Sequence, residues 1–263
     1  MKQSGKEKLK KFFGSVYENF VDIVFPRDIT CIICGEELVT DPDYAICENC
    51  YEALLKNDGK VCLSCGEKID SLANYCMNCK NAKNRTFTQA RAPFLYDGEI
   101  KKLIFDLKYN HKRYIGRNLS YFLLEELNKT DWSIDICVPI PISKKRLKQR
   151  EYNQALLLCY AIKESGILVD TENFVKSVDT PHQTELNKAE RKTNLKDSFS
   201  IKDKSVFKNK NVLVIDDVYT TGSTMETASE VLLKAGAKNV YCLTVAHTLP
   251  VYLRERMKSA DEQ

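Results

Sequence analysis

Four Cys-x-x-Cys pairs between residues 31 and 79 constrain the fold of this chain more than any other feature of its sequence. The pairs are Cys31/Cys34, Cys47/Cys50, Cys62/Cys65 and Cys76/Cys79, with 12, 11 and 10 residues between them. Two thiolates two residues apart can bind one ion from a tight turn, and two such turns complete a tetrahedron. The segment is poor in long apolar runs and buries little surface without a metal. It is therefore predicted to fold around two Zn²⁺ ions.

Four thiolates around each ion leave no coordination position open, so both sites are expected to be structural rather than catalytic. Sequential pairing of the Cys pairs gives two zinc ribbons, and an interleaved pairing is also compatible with the sequence. The chain has 11 cysteines, and the other three are predicted to be small buried residues of strands and a helix. These three are Cys137, Cys159 and Cys242.

Composition and charge exclude other classes of protein. No run approaches the roughly 18 apolar residues of a membrane-spanning helix, and charges interrupt the N-terminal apolar residues, so no signal-peptide core is present. The formal net charge is +4, and eight thiolates binding two Zn²⁺ ions would bring the loaded protein close to neutrality. A globally basic nucleic-acid binder is not indicated, although local basic patches are compatible with this charge. We expect a cytoplasmic protein.

Residues 1–26 are predicted to form an amphipathic helix ahead of the ribbons. Apolar residues recur at helical spacing over residues 4–25, Ser4 and Glu7 have the spacing of a capping box, and Pro26 ends the pattern. We favour docking of this helix on the protein's own body. The alternative is a basic helix peripheral to the inner face of the membrane, which its five lysines suggest.

Residues 27–84 form the predicted double zinc-ribbon domain, and residues 85–263 form a second domain in which strands alternate with helices. The predicted strands are 91–96, 134–139, 173–178, 211–216 and 239–245. The predicted helices are 99–109, 114–128, 152–165, 185–195 and 222–235. Such alternation favours an α/β fold with a mostly parallel sheet covered by helices on both faces.

The segment 212–224, VLVIDDVYTTGST, carries the clearest chemical signal. Four apolar residues predict a buried strand, Asp216 and Asp217 follow at its carboxyl end, and a Thr/Gly/Ser loop opens into a helix. Backbone N–H groups at a helix N-terminus bind anions, and glycine lets the backbone approach the ligand. The predicted anion-binding residues are Thr220, Thr221, Gly222, Ser223 and Thr224. The two carboxylates suit sugar hydroxyls and hydrated Mg²⁺, since they would repel a directly bound phosphate.

This loop resembles the phosphoribosyl-pyrophosphate (PRPP) motif of type I phosphoribosyltransferases. From about residue 23 to residue 247 the chain resembles the ComF/ComFC family of bacterial competence proteins, in which cysteine ribbons precede a transferase-like domain. The matching segments, in order, are VPIP at 138–141, K-x-R-L-x-x-R at 144–150, Tyr152-Asn153-Gln154, Thr180-Pro181-x-Gln183, Leu186, Arg191, Asn194 and Phe199.

The resemblance implies a type I phosphoribosyltransferase-like fold, preceded by a small four-cysteine zinc-ribbon domain and the N-terminal helix. It implies that the acidic pair binds the ribose hydroxyls of PRPP, that the Thr/Gly loop binds its 5′-phosphate, and that Mg²⁺ accompanies PRPP. A flexible hood over residues 179–198 would bring Arg191 to the closed site. Asp216, Asp217 and Arg191 are then the expected catalytic residues.

A second loop, after residues 138–141, is implied by the resemblance to hold the pyrophosphate. The basic residues that follow suit such an anion, and we single out Lys144, Arg146 and Arg150. A solvated helix face and a contact with the backbone of single-stranded DNA are the alternatives. One position departs from the family, which usually has glycine where this chain has Glu151.

Basic residues with interleaved aromatics recur between residues 101 and 117, which suits single-stranded nucleic acid through charge and stacking. They are Lys101, Lys102, Lys108, His111, Lys112, Arg113 and Arg117, with Tyr109 and Tyr114. The outer face of two helices explains them at least equally well. The three histidines form no spaced set, so none is assigned a metal-binding or catalytic role.

The function implied by the resemblance is that of a ComFC-like protein with a PRPP-dependent phosphoribosyltransferase domain, needed for natural transformation. It would handle or import single-stranded DNA at the cytoplasmic side of the membrane, beside a competence helicase or the DNA-uptake channel. The alternatives are a PRPP-sensing or docking module without turnover, and a phosphoribosyltransferase of nucleotide salvage.

Overall fold

A computed structural model describes residues 30–38, 44–70, 72–81, 85–176 and 198–261. The predicted helix over 4–25, residues 179–197 of the predicted hood, and Arg191 within that hood lie outside this part of the chain. The chain divides into two compact units, Met1–Glu52 and Ala53–Gln263. The domain boundaries given above stay predictions.

The secondary structure alternates between strands and helices from residue 89 onward. The strands are β1 (Gln89–Arg91), β2 (Phe94–Leu95), β3 (Ile136–Pro139), β4 (Phe174–Lys176), β5 (Phe199–Ile201), β6 (Asn211–Tyr219) and β7 (Asn239–His247). The helices are α1 (Glu48–Glu52), α2 (Met77–Asn81), α3 (Gly98–Tyr109), α4 (Tyr114–Asn128), α5 (Lys144–Arg150), α6 (Gln154–Leu157), α7 (Tyr160–Glu164), α8 (Ser223–Lys234) and α9 (Val251–Asp261). Within the described ranges, no helix has the length and apolar character needed to cross a membrane.

Five strands form one parallel sheet. Its order is β1, β7, β6, β3, and β2 also pairs with β7. In register, Val138 of β3 lies opposite Val214 of β6, which lies opposite Cys242 of β7. Because the strands are parallel, the carboxyl ends of β2, β3, β6 and β7 share one edge, where open α/β sheets bind ligands. The predicted α/β fold with a parallel sheet is confirmed.

Both faces of the sheet are buried. On one face Val214 of β6 belongs to a core that includes Met225 and Leu232 of α8. Ile215 points to the other face and is equally buried, and α4 packs against both β7 and α7. A strand that is buried on both faces has a continuous apolar run, which is the physical reason for VLVI before the two aspartates.

Three predicted elements differ in the structure. The predicted strand 91–96 is two short strands, β1 and β2. The sequence predicts residues 173–178 as a strand of the parallel sheet, but β4 pairs antiparallel with β5 in a separate two-stranded sheet. Only Phe174 of β4 is buried, against Phe199, and such a half-exposed strand suits a ribbon better than the middle of a sheet. The predicted helix 152–165 is two short helices, α6 and α7. The break lies where the chain passes close to α4, since a Cβ on Gly116 would lie 2.6 Å from Leu157 Cβ.

Candidate functional site

The eight cysteines of the Cys-x-x-Cys pairs form two groups of four. Cys31, Cys34, Cys47 and Cys50 form the first group, and Cys62, Cys65, Cys76 and Cys79 form the second. The sulfur atoms within each group lie within 4.8 Å of one another. Four thiolates at this spacing suit tetrahedral Zn²⁺ with no open position. The donor sets fit structural zinc, and the grouping is sequential, one of the two pairings left open by the sequence.

The two groups are built by the same backbone turns. The Cys31 N–H donates to the Glu36 carbonyl, and the Cys62 N–H donates to the Glu67 carbonyl, both at 2.8 Å. In each turn the glycine after the second cysteine has a positive φ, +79° and +74°, and its N–H returns to the carbonyl of the first cysteine. The repetition supports a duplicated ribbon.

The loop after β6 joins the strand directly to α8. The strand runs to Tyr219, three residues beyond its predicted end, so the loop is short. Gly222 has φ +80°, and a Cβ at this position would lie 2.2 Å from Tyr219 Oη. Both the backbone conformation and the available space therefore require glycine.

The first turn of α8 is open to an anion. Its N-cap residue, Gly222, has no side chain to cap it, and Thr221 Oγ1 accepts a long hydrogen bond from the Ser223 N–H at 3.4 Å and lies 2.8 Å from Ser223 Oγ. Thr220, Thr221 and Ser223 are exposed, and Thr224 is partly exposed. Backbone N–H groups at the start of a 12-residue helix carry partial positive charge, to which these hydroxyls add donors. The loop thus presents hydrogen-bond donors at the carboxyl edge of the sheet.

Asp216 and Asp217 lie within β6, just before this loop. Asp217 is 5% exposed, and its two oxygens accept hydrogen bonds from different helices. Lys108 Nζ of α3 donates to Oδ1 at 2.6 Å, and Gln154 Nε2 of α6 donates to Oδ2 at 3.1 Å. Asp216 Oδ1 accepts from the Asp217 N–H at 2.9 Å. Asp217 is thus fixed in place by residues distant in sequence.

The environment shifts the pKa values of two of these groups. Burial raises the pKa of Asp216 to about 7, and the negative charge of Asp217 adds to the rise. Burial alone would lower the pKa of Lys108, but the neighbouring Asp217 and Asp216 more than offset it, and the pKa of Lys108 is raised. At neutral pH Lys108 is therefore charged, and Asp216 is poised between its neutral and ionised forms.

Sequence reasoning assigned Lys108 to a basic surface patch and gave Gln154 no role. The structure places both side chains against Asp217. No local pattern joins positions 108 and 217, but one signal was present in α3. Lys108 follows Ile104 by four residues, so it lies on the buried stripe of an amphipathic helix, where an unpaired lysine is rare.

The segment implied to hold pyrophosphate begins at the end of β3, the strand beside β6. Lys144 and Arg146 of α5 are exposed. Arg150 is held differently, because its guanidinium lies 5.1 Å from the centroid of the Tyr109 ring and donates to Gln154 Oε1 at 3.0 Å. Lys144 and Arg146 are thus free to meet a ligand from solvent, whereas Arg150 is held by contacts with Tyr109 and Gln154.

The basic patch between residues 101 and 117 is also divided. The Lys108 side chain is only 19% exposed, and Arg117 packs over the Tyr160 ring at 4.9 Å. Phe105 and Tyr109 remain 52% and 57% exposed, and their ring centroids lie 4.9 Å apart. We call this pair the aromatic platform. Arg150 lies over one of its rings, which leaves aromatic and cationic surface together.

Comparison with known proteins agrees with this architecture. The phosphoribosyl transferase domain family matches residues 168–260, and the double zinc ribbon domain family matches residues 20–80. The chain is 28% identical over 217 residues to Competence protein F of Haemophilus influenzae, covering 80% of this chain and 93% of that protein. It is 26% identical over 225 residues to Competence protein ComFC of Bacillus subtilis, covering 79% and 90%. The chain is a homologue of the ComF/ComFC proteins.

This ComF/ComFC homologue has other relatives. It is 27% identical over 228 residues to DNA utilization protein YhgH of Escherichia coli K12, which covers 83% of this chain and 97% of that protein. Among solved structures, the match to the allosteric regulatory enzyme of purine biosynthesis covers 53% of this chain and 29% of the enzyme's chain, with 18% identity and a TM-score of 0.36. Adenine phosphoribosyltransferase from Saccharomyces cerevisiae covers 57% of this chain and 77% of its own, with 18% identity and a TM-score of 0.33.

Glu151, where the resemblance to ComF/ComFC leads us to expect glycine, ends α5 in the left-handed region. Its φ is +65°, and its N–H donates to the Leu147 carbonyl at 2.7 Å. A glycine adopts this conformation without strain, which is a physical reason to expect glycine at this position. In this chain the Glu151 carboxylate instead pairs with Arg113 Nη2 at 3.2 Å on the surface.

Glu151→Gly is therefore expected to stabilise the protein by about 1 kcal/mol relative to Glu151→Gln. Both variants lose the exposed ion pair with Arg113, but only glycine relieves the left-handed backbone. Thermal melting of the two zinc-loaded variants measures the difference. Equal melting temperatures would show that the backbone at this position is not strained.

Proposed function

We propose that this ComF/ComFC homologue binds Mg²⁺ and PRPP and acts as a phosphoribosyltransferase in natural transformation. One observation carries the proposal: an acidic pair at the carboxyl edge of a parallel sheet directly precedes a loop that opens into a helix with glycine at its N-cap position. A phosphate and the hydroxyls of its ribose need these two kinds of partner side by side. The phosphoribosyl transferase match over residues 168–260 supports the assignment.

Different residues of the chain bind different parts of PRPP. Thr220–Thr224 bind the 5′-phosphate, and Asp216 and Asp217 accept hydrogen bonds from the ribose hydroxyls. The same acidic pair would hold Mg²⁺ bound with PRPP, and the ion would supply positive charge to neutralise the pyrophosphate leaving group. Lys108 orients Asp217 for this role by donating a hydrogen bond to Oδ1.

The exposed bases after β3, Lys144 and Arg146, supply positive charge for the leaving pyrophosphate. Arg191, which lies outside the described residues, is proposed as a catalytic residue in the closed site. The protein then works mainly by positioning groups and stabilising charge.

Raising the pH from 6 to 8 is expected to strengthen PRPP binding in the presence of Mg²⁺ by about tenfold. The reason is the pKa of Asp216, which is raised to about 7, so the ionised fraction of this carboxyl increases about tenfold over that range. Titration calorimetry at both pH values measures the change. Asp216→Asn serves as the control for titration of the ligand's own phosphates, and a wild-type dependence no steeper than that of the variant would contradict the assignment.

A role with single-stranded DNA is a second part of the proposal, and the aromatic platform supports it. Phe105 and Tyr109 are exposed beside the guanidinium of Arg150, which suits stacking of bases near a charged backbone contact. The names of the relatives, competence proteins and DNA utilization proteins, point in the same direction. We propose that the protein handles incoming single strands in the cytoplasm, at the inner face of the membrane, beside a competence helicase or uptake-channel protein.

Phe105→Ala/Tyr109→Ala is expected to weaken binding of a thymidine oligonucleotide by tenfold or more, because stacking contributes about 1–3 kcal/mol for each base. Leu168→Ala, which removes an exposed apolar side chain elsewhere, is the matched control and should bind like the wild type. Fluorescence anisotropy with a labelled oligonucleotide measures both. Equal affinities for the wild type and the double variant would remove the platform from the proposal.

The two remaining functions, a PRPP sensor without turnover and a salvage transferase, are separated by one genetic experiment. The triple variant Lys108→Met/Asp216→Asn/Asp217→Asn removes the acidic pair without leaving a buried lysine unpaired. In Bacillus subtilis lacking its own ComFC, the wild-type chain should restore transformation and the triple variant should not, with Lys129→Gln as the control. Failure of the wild-type chain, or rescue by the triple variant, would count against the proposed role of the site.

Turnover is tested separately with the purified protein. PRPP-dependent release of pyrophosphate by the wild type, absent from the triple variant, is the result expected of a transferase. Rescue of transformation without pyrophosphate release would favour the sensor.

A further inference from the structure

The second cysteine group shares a hydrophobic core with the residues that flank the proposed phosphate-binding loop, residues 220–224. Cys62, Cys65 and Cys76 are each at most 4% exposed, and they belong to one hydrophobic cluster with Tyr219 and Met225. These last two residues flank the loop on either side. A metal centre built from these cysteines is therefore part of the scaffold beneath the loop rather than a separate module.

A first connection runs through His247, the last residue of β7. One ring nitrogen of His247, the Cys65 sulfur and a Glu67 carboxylate oxygen all lie within 4.8 Å of one another. The His247 ring stacks on the Tyr219 ring, with centroids 4.7 Å apart and an angle of 17° between planes. Tyr219 is also its partner in register across β6 and β7 and immediately precedes the loop.

Tyr219 in turn supports the loop backbone. Its hydroxyl is the atom that a Cβ on Gly222 would meet at 2.2 Å. Among the described residues, Tyr219 Oη and His247 Nε2 are buried polar atoms with no hydrogen-bond partner. Buried polar atoms without partners are uncommon and cost free energy. These two lie between the second cysteine group and the loop, which suggests a role in joining them.

A second connection runs through the segment after α2, the helix that carries Cys79. Arg85 Nη1 donates to Glu226 Oε1 at 3.0 Å, and the Thr86 N–H donates to Glu226 Oε2 at 2.8 Å. Glu226 lies in the first turn of α8. The loop and the start of α8 are thus tied to the second cysteine group from both sides.

We propose that the Cys62/Cys65/Cys76/Cys79 centre and the phosphate-binding loop are energetically coupled, with His247 and Tyr219 as positioning residues. Metal at this centre holds the loop in the conformation that binds the 5′-phosphate, and bound PRPP in turn retains the metal. Such coupling is reciprocal by thermodynamic necessity. The proposal rests on the proposed function in that PRPP is the ligand of the loop.

The test measures zinc release to a chromogenic chelator, such as 4-(2-pyridylazo)resorcinol, from the full-length zinc-loaded protein. The Cys34→Ser/Cys50→Ser variant lacks the first zinc site, so the zinc that it releases identifies the kinetic phase of the second site. PRPP with Mg²⁺ is expected to slow release from the second site at least fivefold and to leave the first site unchanged. An unchanged release rate with bound PRPP would overturn the coupling.

Two substitutions at His247 test the route. His247→Phe keeps the stack on Tyr219 and removes the nitrogen near Cys65, while His247→Gln removes the stack. Each is expected to reduce the effect of PRPP on zinc release to less than twofold. Tyr241 lies on the same strand as His247, and its ring stacks on that of Trp132. Tyr241→Phe should keep the wild-type effect of PRPP on zinc release. Full coupling in both His247 variants would overturn the assigned route.

Calorimetry on the same samples distinguishes the two proposals. PRPP that fails to bind the zinc-loaded wild type would overturn the proposed function and, with it, the coupling. PRPP that binds without changing zinc release would overturn the coupling alone. If a His247 variant does not fold, the wild-type comparison with and without PRPP still decides the question.

Discussion

Asp217→Asn is expected to lower the stability of the zinc-loaded protein by about 3 kcal/mol and to abolish PRPP binding. The substitution leaves the Lys108 ammonium buried without its carboxylate, and breaking a buried ion pair from one side costs about 3–5 kcal/mol. We take the lower end because 19% of the Lys108 side chain is exposed and Asp216 lies nearby. For a unit of this size the loss corresponds to a melting temperature lower by roughly 6–12 °C.

Two further variants make this prediction specific. Lys108→Met/Asp217→Asn should regain most of the stability, because it removes the charge together with its partner, but should not regain PRPP binding. Lys102→Gln breaks an exposed pair with Glu99 on the same helix and should lower the melting temperature by less than about 2 °C. Circular dichroism melting measures all three. A double variant as unstable as Asp217→Asn would contradict the ion-pair account.

Loss of the second zinc site is expected to unfold the Ala53–Gln263 unit, whereas loss of the first is not. Cys62, Cys65 and Cys76 lie in the core of that unit, while the first four cysteines belong to the Met1–Glu52 unit. Structural Zn²⁺ contributes about 10–16 kcal/mol of apparent folding free energy in small zinc domains. This is comparable with the whole stability of a typical domain, about 5–15 kcal/mol.

Cys65→Ser/Cys76→Ser and Cys34→Ser/Cys50→Ser are the matched pair for this test. Each removes two thiolates and should lower the zinc content from two ions to one. Only the first is expected to lose the cooperative melting transition of the larger unit, followed by circular dichroism. A Cys65→Ser/Cys76→Ser protein that melts like the wild type would show that the second site is dispensable for the core.

The parts of the structure that local sequence patterns determine were predictable. Cysteine spacing determines which side chains can share an ion, and the apolar run VLVI followed by two aspartates predicts a buried strand that ends at a site. Tetrahedral ligation and parallel pairing then follow from general rules. Only the structure shows which Cys-x-x-Cys pairs share an ion, because the sequential and the interleaved arrangements satisfy the same spacing.

Contacts between distant residues were not predictable from these patterns. Lys108 meets Asp217 only because α3 packs beside the end of β6, and His247 meets Cys65 only because β7 ends beside the second ribbon. Local sequence patterns therefore predicted Lys108 at the surface and assigned no role to His247. The burial of the second cysteine group in the core of the Ala53–Gln263 unit also follows from packing, which the spacing of the cysteines does not reveal.

Titration calorimetry of the zinc-loaded protein with PRPP, with and without Mg²⁺, tests the central claim most directly. We expect saturable binding of one PRPP per chain that requires Mg²⁺ and is lost in the Lys108→Met/Asp216→Asn/Asp217→Asn variant. Absence of binding to a folded wild-type protein that contains both zinc ions would contradict the claim. The loop would then serve as scaffold, and docking of DNA or a protein partner would become the leading function.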